Sequence, residues 1–493
     1  MLSRRPLSLL AAILLCTVAC HEVHFEPRSG VGEIDILDDL FAVSAVDENL
    51  VLASGYWGAI YRSEDGGQSW LKSDTGVKSL IYDVSMADQY YGWAVGQLGL
   101  VLRTEDGGKT WAKQSTPKDD QGVHLFSVQS VGPQEAIAVG EWGTIIVTRD
   151  GGKTWRDDSL TVDETHPQFV WLSIFDQERV RKGEPVFEDV GLNDVSCLSS
   201  NTQHCWVIGE FAYLFRSENG GENWERGEIL SGIKVDPIQL DYNSIEITDA
   251  DRELIGEFSR QIADQQHLNI AIEPRVSARE IANFGKESDP FPLFEIVEAR
   301  VQEVQSAIEA AGILSDRIRR RGAPPWDYED FLAEDPEFLS RYFEGRKRDS
   351  PQIEVNIAQN PYLFAVRFAD ENDGYISGLG GVVLRSRDGG RTWRYEDIGR
   401  KMAVFSVEPL TPDRAVIVGE KGLLRITTDS GKTWEESNDT IFDTIFTFMR
   451  DVDFVGNTGY VVGQRGMILR SDDGGSSWRA VTPTKSLNLA DAH

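Results

Sequence analysis

The chain has 493 residues and a formal net charge of −31 at pH 7, with 80 acidic against 49 basic side chains. A surface this acidic repels phosphate backbones, which argues against nucleic acid as a partner. Beyond the N-terminal segment, no run approaches the roughly 18 apolar residues that a membrane-spanning helix needs.

The N-terminal segment, MLSRRPLSLLAAILLCTVAC, has the layout of a bacterial export signal: two arginines, an apolar run, then small residues before Cys20. This ending resembles a lipobox. We therefore predict a lipoprotein signal peptide over residues 1–20, lipidation of Cys20 and a linker over residues 21–38. Because His21 and not Asp follows the cysteine, the periplasmic face of the outer membrane is the favoured location. An ordinary signal peptide cleaved nearby is the alternative.

Seven copies of one motif, Ser/Thr-x-Asp/Asn-x-Gly-x-Ser/Thr/Asn-Trp, follow along the rest of the chain, most of them 41 or 44 residues apart. A period of this length corresponds to one four-stranded blade. The repeats therefore predict an all-β fold, a seven-bladed β-propeller with Asp-box turns. The motif tryptophans are Trp70, Trp111, Trp155, Trp224, Trp393, Trp434 and Trp478.

The motif suits a turn between two strands. Its Asp or Asn and the hydroxyl two positions earlier can accept backbone N–H groups, and the glycine two positions later tolerates left-handed backbone. The tryptophan can plug the turn onto the apolar side of the blade. We therefore predict structural side chains and not metal or catalytic sites. The structural Asp-box residues are Asp65, Asp106, Asp150, Asn219, Asp388, Asp429 and Asp473.

Upstream of each Asp box come a strand, a Gly turn and another strand, as in VGQLGLVLR, and before these an apolar segment such as LFSVQSV. Each blade is thus predicted as strand A, hairpin, strand B, Gly turn, strand C, Asp-box turn and strand D. Blades one to four would occupy residues 39–229 and blades five to seven residues 359–483, followed by a tail over residues 484–493.

Two cysteines, Cys197 and Cys205, flank a turn centred on Asn201 in the A–B hairpin of blade four. This turn would place them opposite each other, and in an oxidising periplasm they would form a cross-strand disulfide. Two reduced, half-buried thiols are the alternative.

Two gaps between motifs exceed the blade period. The first excess, about residues 160–188, includes a stretch over 169–190 that alternates enough to predict an extended hairpin. The second, residues 230–358, predicts an α-helical subdomain inserted between blades four and five.

Helical signals recur within the second insertion. Capping boxes begin at Thr248 and Ser277, and apolar residues stand at helical spacing over 294–313. One or two short acidic helices are predicted over 327–346. The basic run over 317–322 either ends a helix or docks an acidic partner surface.

Both insertions link strand D of one blade to strand A of the next, so we expect them to rise from the face that carries the Gly turns. Side chains at the turn tips beside them would make a binding surface. The alternative is that the aromatic ones pack under the insertions as ordinary core. The candidate partner-binding residues are Trp57, Trp142, Phe211, Glu420 and Arg465.

Strings such as GWAVGQLGLVLRTEDGGKTW (92–111) and AIAVGEWGTIIVTRDGGKTW (136–155) resemble the photosystem II stability/assembly factor family over seven blades. The resemblance implies a non-enzymatic scaffold without cofactors, facing the periplasm or lumen. It would bind protein subunits of a membrane complex such as a photosystem, a transporter or another envelope assembly. The acidic balance and the helical insertion depart from the photosynthetic pattern, and that family's basic patch does not map onto specific positions here.

Asp boxes also occur in sialidases and other glycoside hydrolases, which form the alternative class. A sialidase needs an arginine cluster and a Tyr/Glu pair, and those enzymes carry an Arg-Ile-Pro element near their start. This sequence has no such element and no distinctive carboxylate constellation. It also lacks an HExxH motif and a Walker loop, so neither a metal nor a nucleotide site is predicted.

Overall fold

The computed structural model describes residues 36–164, 166, 169, 172–230, 233, 235–263, 268–284, 291–320, 343, 346–359, 361–437 and 447–481. Within them, seven antiparallel sheets each contain the four consecutive strands of one repeat, and an eighth sheet belongs to the insertion. The innermost strands of successive sheets contact one another, and the first also contacts the last. The fold is a closed seven-bladed propeller, as the repeats predict.

Strands are numbered in chain order, and each blade runs from strand A at the centre to strand D at the rim. Blade one contains β1 (Leu40–Ala45), β2 (Val51–Gly55), β3 (Ile60–Ser63) and β4 (Leu71–Lys72). Blade two contains β5 (Ile81–Met86), β6 (Gly92–Gly96), β7 (Val101–Thr104) and β8 (Ala112–Lys113). Blade three contains β9 (Leu125–Gly132), β10 (Glu135–Gly140), β11 (Ile145–Thr148) and β12 (Arg156–Asp157). Helix α1 (Ile174–Arg181) follows, and blade four contains β13 (Leu192–Cys197), β14 (Cys205–Gly209), β15 (Leu214–Ser217) and β16 (Glu225–Arg226).

The insertion lies between blades four and five. Its elements are β17 (Glu228–Ile229), β18 (Ile238–Gln239), α2 (Asp249–Ile262), β19 (Leu268–Ser277), α3 (Ala278–Phe284), α4 (Phe291–Ala310), β20 (Ile318–Arg320), β21 (Lys347–Arg348) and β22 (Gln352–Gln359). Blade five contains β23 (Leu363–Phe368), β24 (Gly374–Gly378), β25 (Val383–Ser386) and β26 (Thr392–Tyr395). Blade six contains β27 (Val404–Thr411), β28 (Arg414–Gly419), β29 (Leu424–Thr427) and β30 (Glu435–Glu436). Blade seven contains β31 (Met449–Val455), β32 (Thr458–Gly463), β33 (Ile468–Ser471) and β34 (Arg479–Ala480).

The hydrophobic core lies between neighbouring blades. Leu52 and Ile60 of blade one pack with Leu102 and Trp111 of blade two, and all four are buried. The interface that joins blades seven and one has the same apolar character. Because burial of apolar surface contributes about 25 cal/mol per Å², each blade depends on its neighbours for most of its stabilisation.

Every strand A carries a β-bulge near its start. In β1 the pairing with β2 passes from Leu40 directly to Ala42, which leaves Phe41 as the extra residue. A bulge re-aims the side chain of the extra residue, and here it turns that side chain onto the mouth of the central channel. The bulged residues are Phe41, Tyr82, Phe126, Asn193, Phe364, Phe405 and Arg450.

The Asp box of blade one shows how these turns are held. Ser63 Oγ accepts the N–H of Gly67 at 2.8 Å, and Asp65 Oδ1 accepts the N–H of Ser69 at 2.8 Å. Partial burial acts to raise the pKa of Asp65, but the hydrogen bonds from Ser69 and Ser63 outweigh it and lower the pKa. The same bonds recur in the other boxes, with Asn219 in blade four.

The two kinds of turn lie on opposite faces. Gly66, in an Asp box, donates its N–H to Asn49 O in the A–B hairpin of the same blade at 2.9 Å. Gly99, in a Gly turn, donates to Val123 O in the link that enters the next blade at 2.6 Å. We call these faces the Asp-box face and the Gly-turn face.

The first insertion corrects the sequence prediction. Where an extended hairpin was expected over 169–190, the described residues include helix α1, whose N-cap Ser173 accepts the N–H of Asp176 at 3.1 Å. The alternation of apolar residues was too short to decide between strand and helix, and the Ser-x-x-Asp cap favours the helix.

The second insertion contains the predicted helices together with a sheet that the sequence analysis did not anticipate. Both capping boxes are formed, since Thr248 accepts from the N–H of Asp251 and Ser277 from that of Glu280. Strands β18, β22, β19 and β20 form the sheet, with β21 pairing beside β19. Helices α2 and α4 bury their apolar sides against it. The predicted helical subdomain is therefore a mixed α/β one.

The insertion attaches to the outer edge of blade five. Strand β17 extends the sheet of blade five by pairing in parallel with β26. Tyr395 at the end of β26 packs against both the core of the insertion and the interface of blades four and five. The chain returns through Pro361, whose carbonyl accepts the N–H of Ala212 in the Gly turn of blade four at 3.1 Å.

Cys197 and Cys205 face each other across β13 and β14 and form a disulfide with an S–S distance of 2.02 Å. The predicted signal peptide, Cys20 and the C-terminal tail lie outside the described residues, as do most of the acidic helices predicted over 327–346. No helix in the described part of the chain is long and apolar enough to cross a membrane.

Candidate binding face and channel mouth

Each Gly turn places one residue with left-handed backbone at its tip. In blade one the turn spans Tyr56–Gly58, and Trp57 has φ of +57°. Such backbone costs a residue other than glycine about 1–2 kcal/mol. The residues at this position are Trp57, Leu98, Trp142, Phe211, Gly380, Lys421 and Arg465 in blades one to seven.

The turn is held by the residue after the tip. Gly143 donates its N–H to Val190 O at 2.7 Å, and Gly422 donates to Thr447 O at 2.8 Å, in each case in the link to the next blade. A Cβ atom on Gly58 would lie 2.1 Å from the carbonyl oxygen of Val77, so this position requires glycine. This hydrogen bond from the glycine fixes the turn, so that the side chain at the tip projects outward.

The aromatic candidates lie on the surface. Trp57 is 69% exposed, Trp142 59% and Phe211 46%, so they do not pack beneath an insertion. Leu98, which the sequence analysis did not choose, is 58% exposed between them. We call Trp57, Leu98, Trp142 and Phe211, on four consecutive blades, the apolar arc.

The two charged candidates differ. Glu420 is engaged within blade six, because its Oε2 accepts the N–H of Ala403 at 3.4 Å and its Oε1 lies 3.2 Å from Lys421 Nζ. Arg465 has an exposed side chain, while its backbone N–H donates to Asp39 Oδ1 at 2.9 Å. Lys421 and Arg465 make the tips of blades six and seven basic, opposite in character to the apolar arc.

The bulged side chains surround a cavity of about 100 Å³ at the mouth of the central channel. Neighbouring rings contact edge to face, with centroids 5.6 Å apart for Tyr82 and Phe126 and 6.3 Å apart for Phe41 and Tyr82. The mouth within the Gly-turn face therefore has aromatic walls, but most of its exposed lining is polar because charged side chains also face it.

Acidic side chains below the mouth connect strand A of one blade to strand A of the next. Asp83 Oδ2 accepts the N–H of Val128 at 2.8 Å, and Asp194 Oδ2 accepts that of Val366 at 2.8 Å. The same kind of bond, from an N–H of β1 to Asp451 Oδ2 at 2.9 Å, joins blade seven to blade one. These carboxylates hold the ring of blades together.

The carboxylates of the channel are hard to ionise. Burial raises the pKa of Asp83, Asp451 and Asp453 to about 6 each, and nearby carboxylates add to the effect. Burial together with Asp453 also raises the pKa of Glu408 well above its ordinary value. Burial acts to lower the pKa of Arg367, but the charges of these carboxylates outweigh it and raise the pKa.

One Tyr/Glu pair bears on the glycosidase alternative. Tyr213 Oη donates to Glu188 Oε2 at 2.6 Å, and burial together with this carboxylate raises the pKa of the tyrosine. A nucleophilic tyrosine needs the opposite shift, so the pair is structural. Among the described residues, no group of three or more His, Cys, Asp or Glu side chains is arranged to hold a metal ion.

The basic run over 317–322 is structural where the structure describes it. Arg317 donates to the carbonyls of Leu268 and Ile262, which closes the C-terminal end of α2, and Arg320 donates to Gln305 on α4. The run itself does not end an α-helix, since α4 ends at Ala310 and residues Ile318–Arg320 form strand β20.

These features define a class of protein: an Asp-box propeller whose Gly-turn face presents exposed apolar side chains on four consecutive blades. Residues 68–171 and 399–488 match the family model described as Photosynthesis system II assembly factor YCF48. In these two segments and in its repeats, the chain is similar to that family. The matched family is described as an assembly factor and not as an enzyme.

Solved structures of similar fold include one described as YCF48 bound to D1 peptide, with TM-score 0.49 and 13% identity, covering 90% of this chain and 93% of that one. Another is YCF48 from Cyanidioschyzon merolae, with TM-score 0.48 and 14% identity, covering 89% of this chain and 96% of that one. A curated relative, Vacuolar protein sorting/targeting protein 10 of Emericella nidulans, is 36% identical over 94 residues. That match spans 18% of this chain and only 6% of the relative.

Proposed function

We propose that the protein is a non-enzymatic scaffold or assembly factor that binds protein partners of a membrane complex through its Gly-turn face. The observation that carries this proposal is the apolar arc. Three aromatic side chains and a leucine are exposed at turn tips whose left-handed backbone is strained for these residues. Glycine would adopt this backbone without strain, as Gly380 does in blade five. Exposed apolar clusters of this kind are typical of interaction sites, and aromatic residues commonly dominate their binding energy.

The match to the assembly-factor family supports a scaffold over an enzyme. The partners are proposed to be subunits of a photosystem, a transporter or another envelope assembly. The protein is further proposed to be exported and lipid-anchored through Cys20, facing the periplasm or lumen. The export-like N-terminal sequence supports this location.

Site-specific photo-crosslinking in the native host tests the binding face. A benzophenone amino acid placed at Trp57 or Trp142 should crosslink the same membrane-complex subunits. The matched control is the same group at Tyr90, which is 61% exposed in the A–B hairpin of blade two, on the Asp-box face. Equal crosslinking from Tyr90, or crosslinking from Tyr90 alone, would contradict the proposed face.

Anchoring is tested separately. The Cys20→Ser variant should leave the membrane fraction, or remain unprocessed, because the thiol that accepts the diacylglyceryl group is gone. Gel mobility and membrane fractionation measure this. A variant with the partition and mobility of the natural chain would exclude lipidation at Cys20.

A further inference from the structure

Arg450 is the bulged residue of blade seven and lies at the channel mouth. Its guanidinium stands 4.8 Å from the ring centroid of Phe405, 5.2 Å from that of Phe448 and 5.8 Å from that of Phe41. Its Nε is buried without a hydrogen-bond partner. Arg450 is thus a cation held among aromatic rings.

The carboxylates near Arg450 accept their hydrogen bonds from other groups, although the charge of Asp39 still acts on Arg450. Asp39 accepts the N–H of Arg465, and Asp451 accepts the N–H of Val43 and the hydroxyl of Ser406. Burial lowers the pKa of Arg450 despite the charge of Asp39, as expected for a cation with too little compensating charge. No ion pair joins it to any residue that the structure describes.

The second arginine of the channel provides the contrast. Arg367 donates to Asp194 Oδ2 at 2.5 Å and to the carbonyl of Val366 at 2.7 Å. Both arginines line the same cavity. Arg367 therefore has a hydrogen-bonded counter-ion, whereas Arg450 has only the nearby, unbonded charge of Asp39.

We propose that the channel mouth is a binding pocket for a carboxylate carried on an apolar or aromatic group, with Arg450 as its counter-ion. The aromatic walls, including Tyr82, Phe126 and Phe364, would cover the apolar part. Asp83, Asp194 and Asp451 on the floor repel an anion, so the carboxylate stays at the rim beside Arg450. The basic tips of blades six and seven lie in the same sector of the face.

An open cavity of about 100 Å³ limits the ligand to one side chain, one chain end or one small free acid. The pocket opens on the face proposed for partner binding, so a partner would present this carboxylate there. The inference rests on the geometry of the pocket and can be tested on the purified protein without any partner.

Calorimetric titration of the purified chain with 3-phenylpropionate tests the pocket, with 3-phenylpropionamide as the uncharged control. The acid should bind at least 10-fold more tightly than the amide. Arg450→Gln should remove this preference, and Arg450→Lys should retain part of it because the charge remains. Arg479→Gln, in strand β34 of the same blade and 53% exposed, should bind as the natural chain does. Comparing N-acetylphenylalanine with N-acetylglutamate α-amide then distinguishes a chain-end from a side-chain carboxylate.

Several results would overturn the proposal: no binding of the acid at millimolar concentration, equal binding of acid and amide, or an unchanged preference in Arg450→Gln. If both Arg450 variants unfold, the comparison of acid and amide on the natural chain still shows whether the pocket prefers a carboxylate. Binding of the acid without crosslinking at Trp57 or Trp142 would support the pocket and refute only the proposed partner face.

Discussion

The tryptophan that ends each Asp box acts as a structural residue, in contrast to the tryptophans at the Gly-turn tips. Trp111 is 7% exposed, packs in the interface of blades one and two, and donates its Nε1–H to Gly108 O at 3.2 Å. Trp57 belongs to the same blade pair but is 69% exposed. The same side chain therefore serves stability at one position and recognition, as proposed, at the other.

A pair of matched substitutions should separate these roles. Trp111→Ala removes a buried ring and should lower the free energy of unfolding by about 3–5 kcal/mol, whereas Trp57→Ala should change it by less than about 0.5 kcal/mol. Denaturant unfolding followed by fluorescence and circular dichroism measures both. A large loss in Trp57→Ala would mean that this ring supports the fold.

At the scale of elements, the insertion behaves as a unit with its own core. Its sheet and helices bury apolar side chains against each other, and Ile238 pairs with Ile353 where the chain enters and leaves the subdomain. Blade five holds a complete set of four strands without it. The described contacts to the blades are made by β17 and by Tyr395.

Removal of the insertion should leave the propeller folded. We expect a chain lacking residues 239–352, with Ile238 joined to Ile353 by a short Gly/Ser bridge, to melt cooperatively, because the ends already lie side by side. Exposure of Tyr395 after the deletion should lower the free energy of unfolding by about 1–2 kcal/mol. Calorimetry beside the intact chain measures this, and a broad, non-cooperative transition would show that the blades need the insertion.

Sequence analysis recovers the features that repeat and misses those that do not. The Asp boxes, the order of strands and the two faces follow from residues present in nearly every blade. The sheet of the insertion was missed because β19 is a single apolar strand whose partners are distant in sequence. The bulged residues do share a sequence pattern, since LF, IY or VF begins most strands A. This pattern did not predict the bulges, because a bulge depends on how two strands pair and not on the sequence of one strand.

For the molecule as a whole, the channel carboxylates and the Asp boxes respond to pH in opposite ways. Asp83, Asp451 and Asp453 have folded pKa values of about 6, above their usual value in an unfolded chain. Between about pH 4 and pH 6 the folded protein binds more protons, so its stability falls as the pH rises through this window. The Asp-box aspartates have lowered pKa values, so their contribution is lost as the pH falls toward the acid range.

We therefore expect the melting temperature to rise as the pH falls from 7.5 to 5, and to decrease again below about pH 4. Glu408→Gln should stabilise the protein at pH 7.5 and flatten the rise, because a neutral amide replaces a buried carboxylate. Glu105→Gln, at a side chain that is 64% exposed, is the control and should follow the natural profile. A melting temperature that falls steadily from pH 7.5 to 5 would contradict this account of the channel.

Strands A to D of each blade are consecutive in the chain, and among the described strands the first and last blades share none. The ring closes through side chains: Asp451 and Asp453 accept N–H groups of β1, and Arg470 donates to Gly66 O at 2.5 Å. A cut in a link between two blades, other than the link that contains the insertion, would therefore leave every blade sheet whole. Two separately produced fragments should then reassemble into one ring, and the seam between blades seven and one differs from the other interfaces only in lacking a peptide connection.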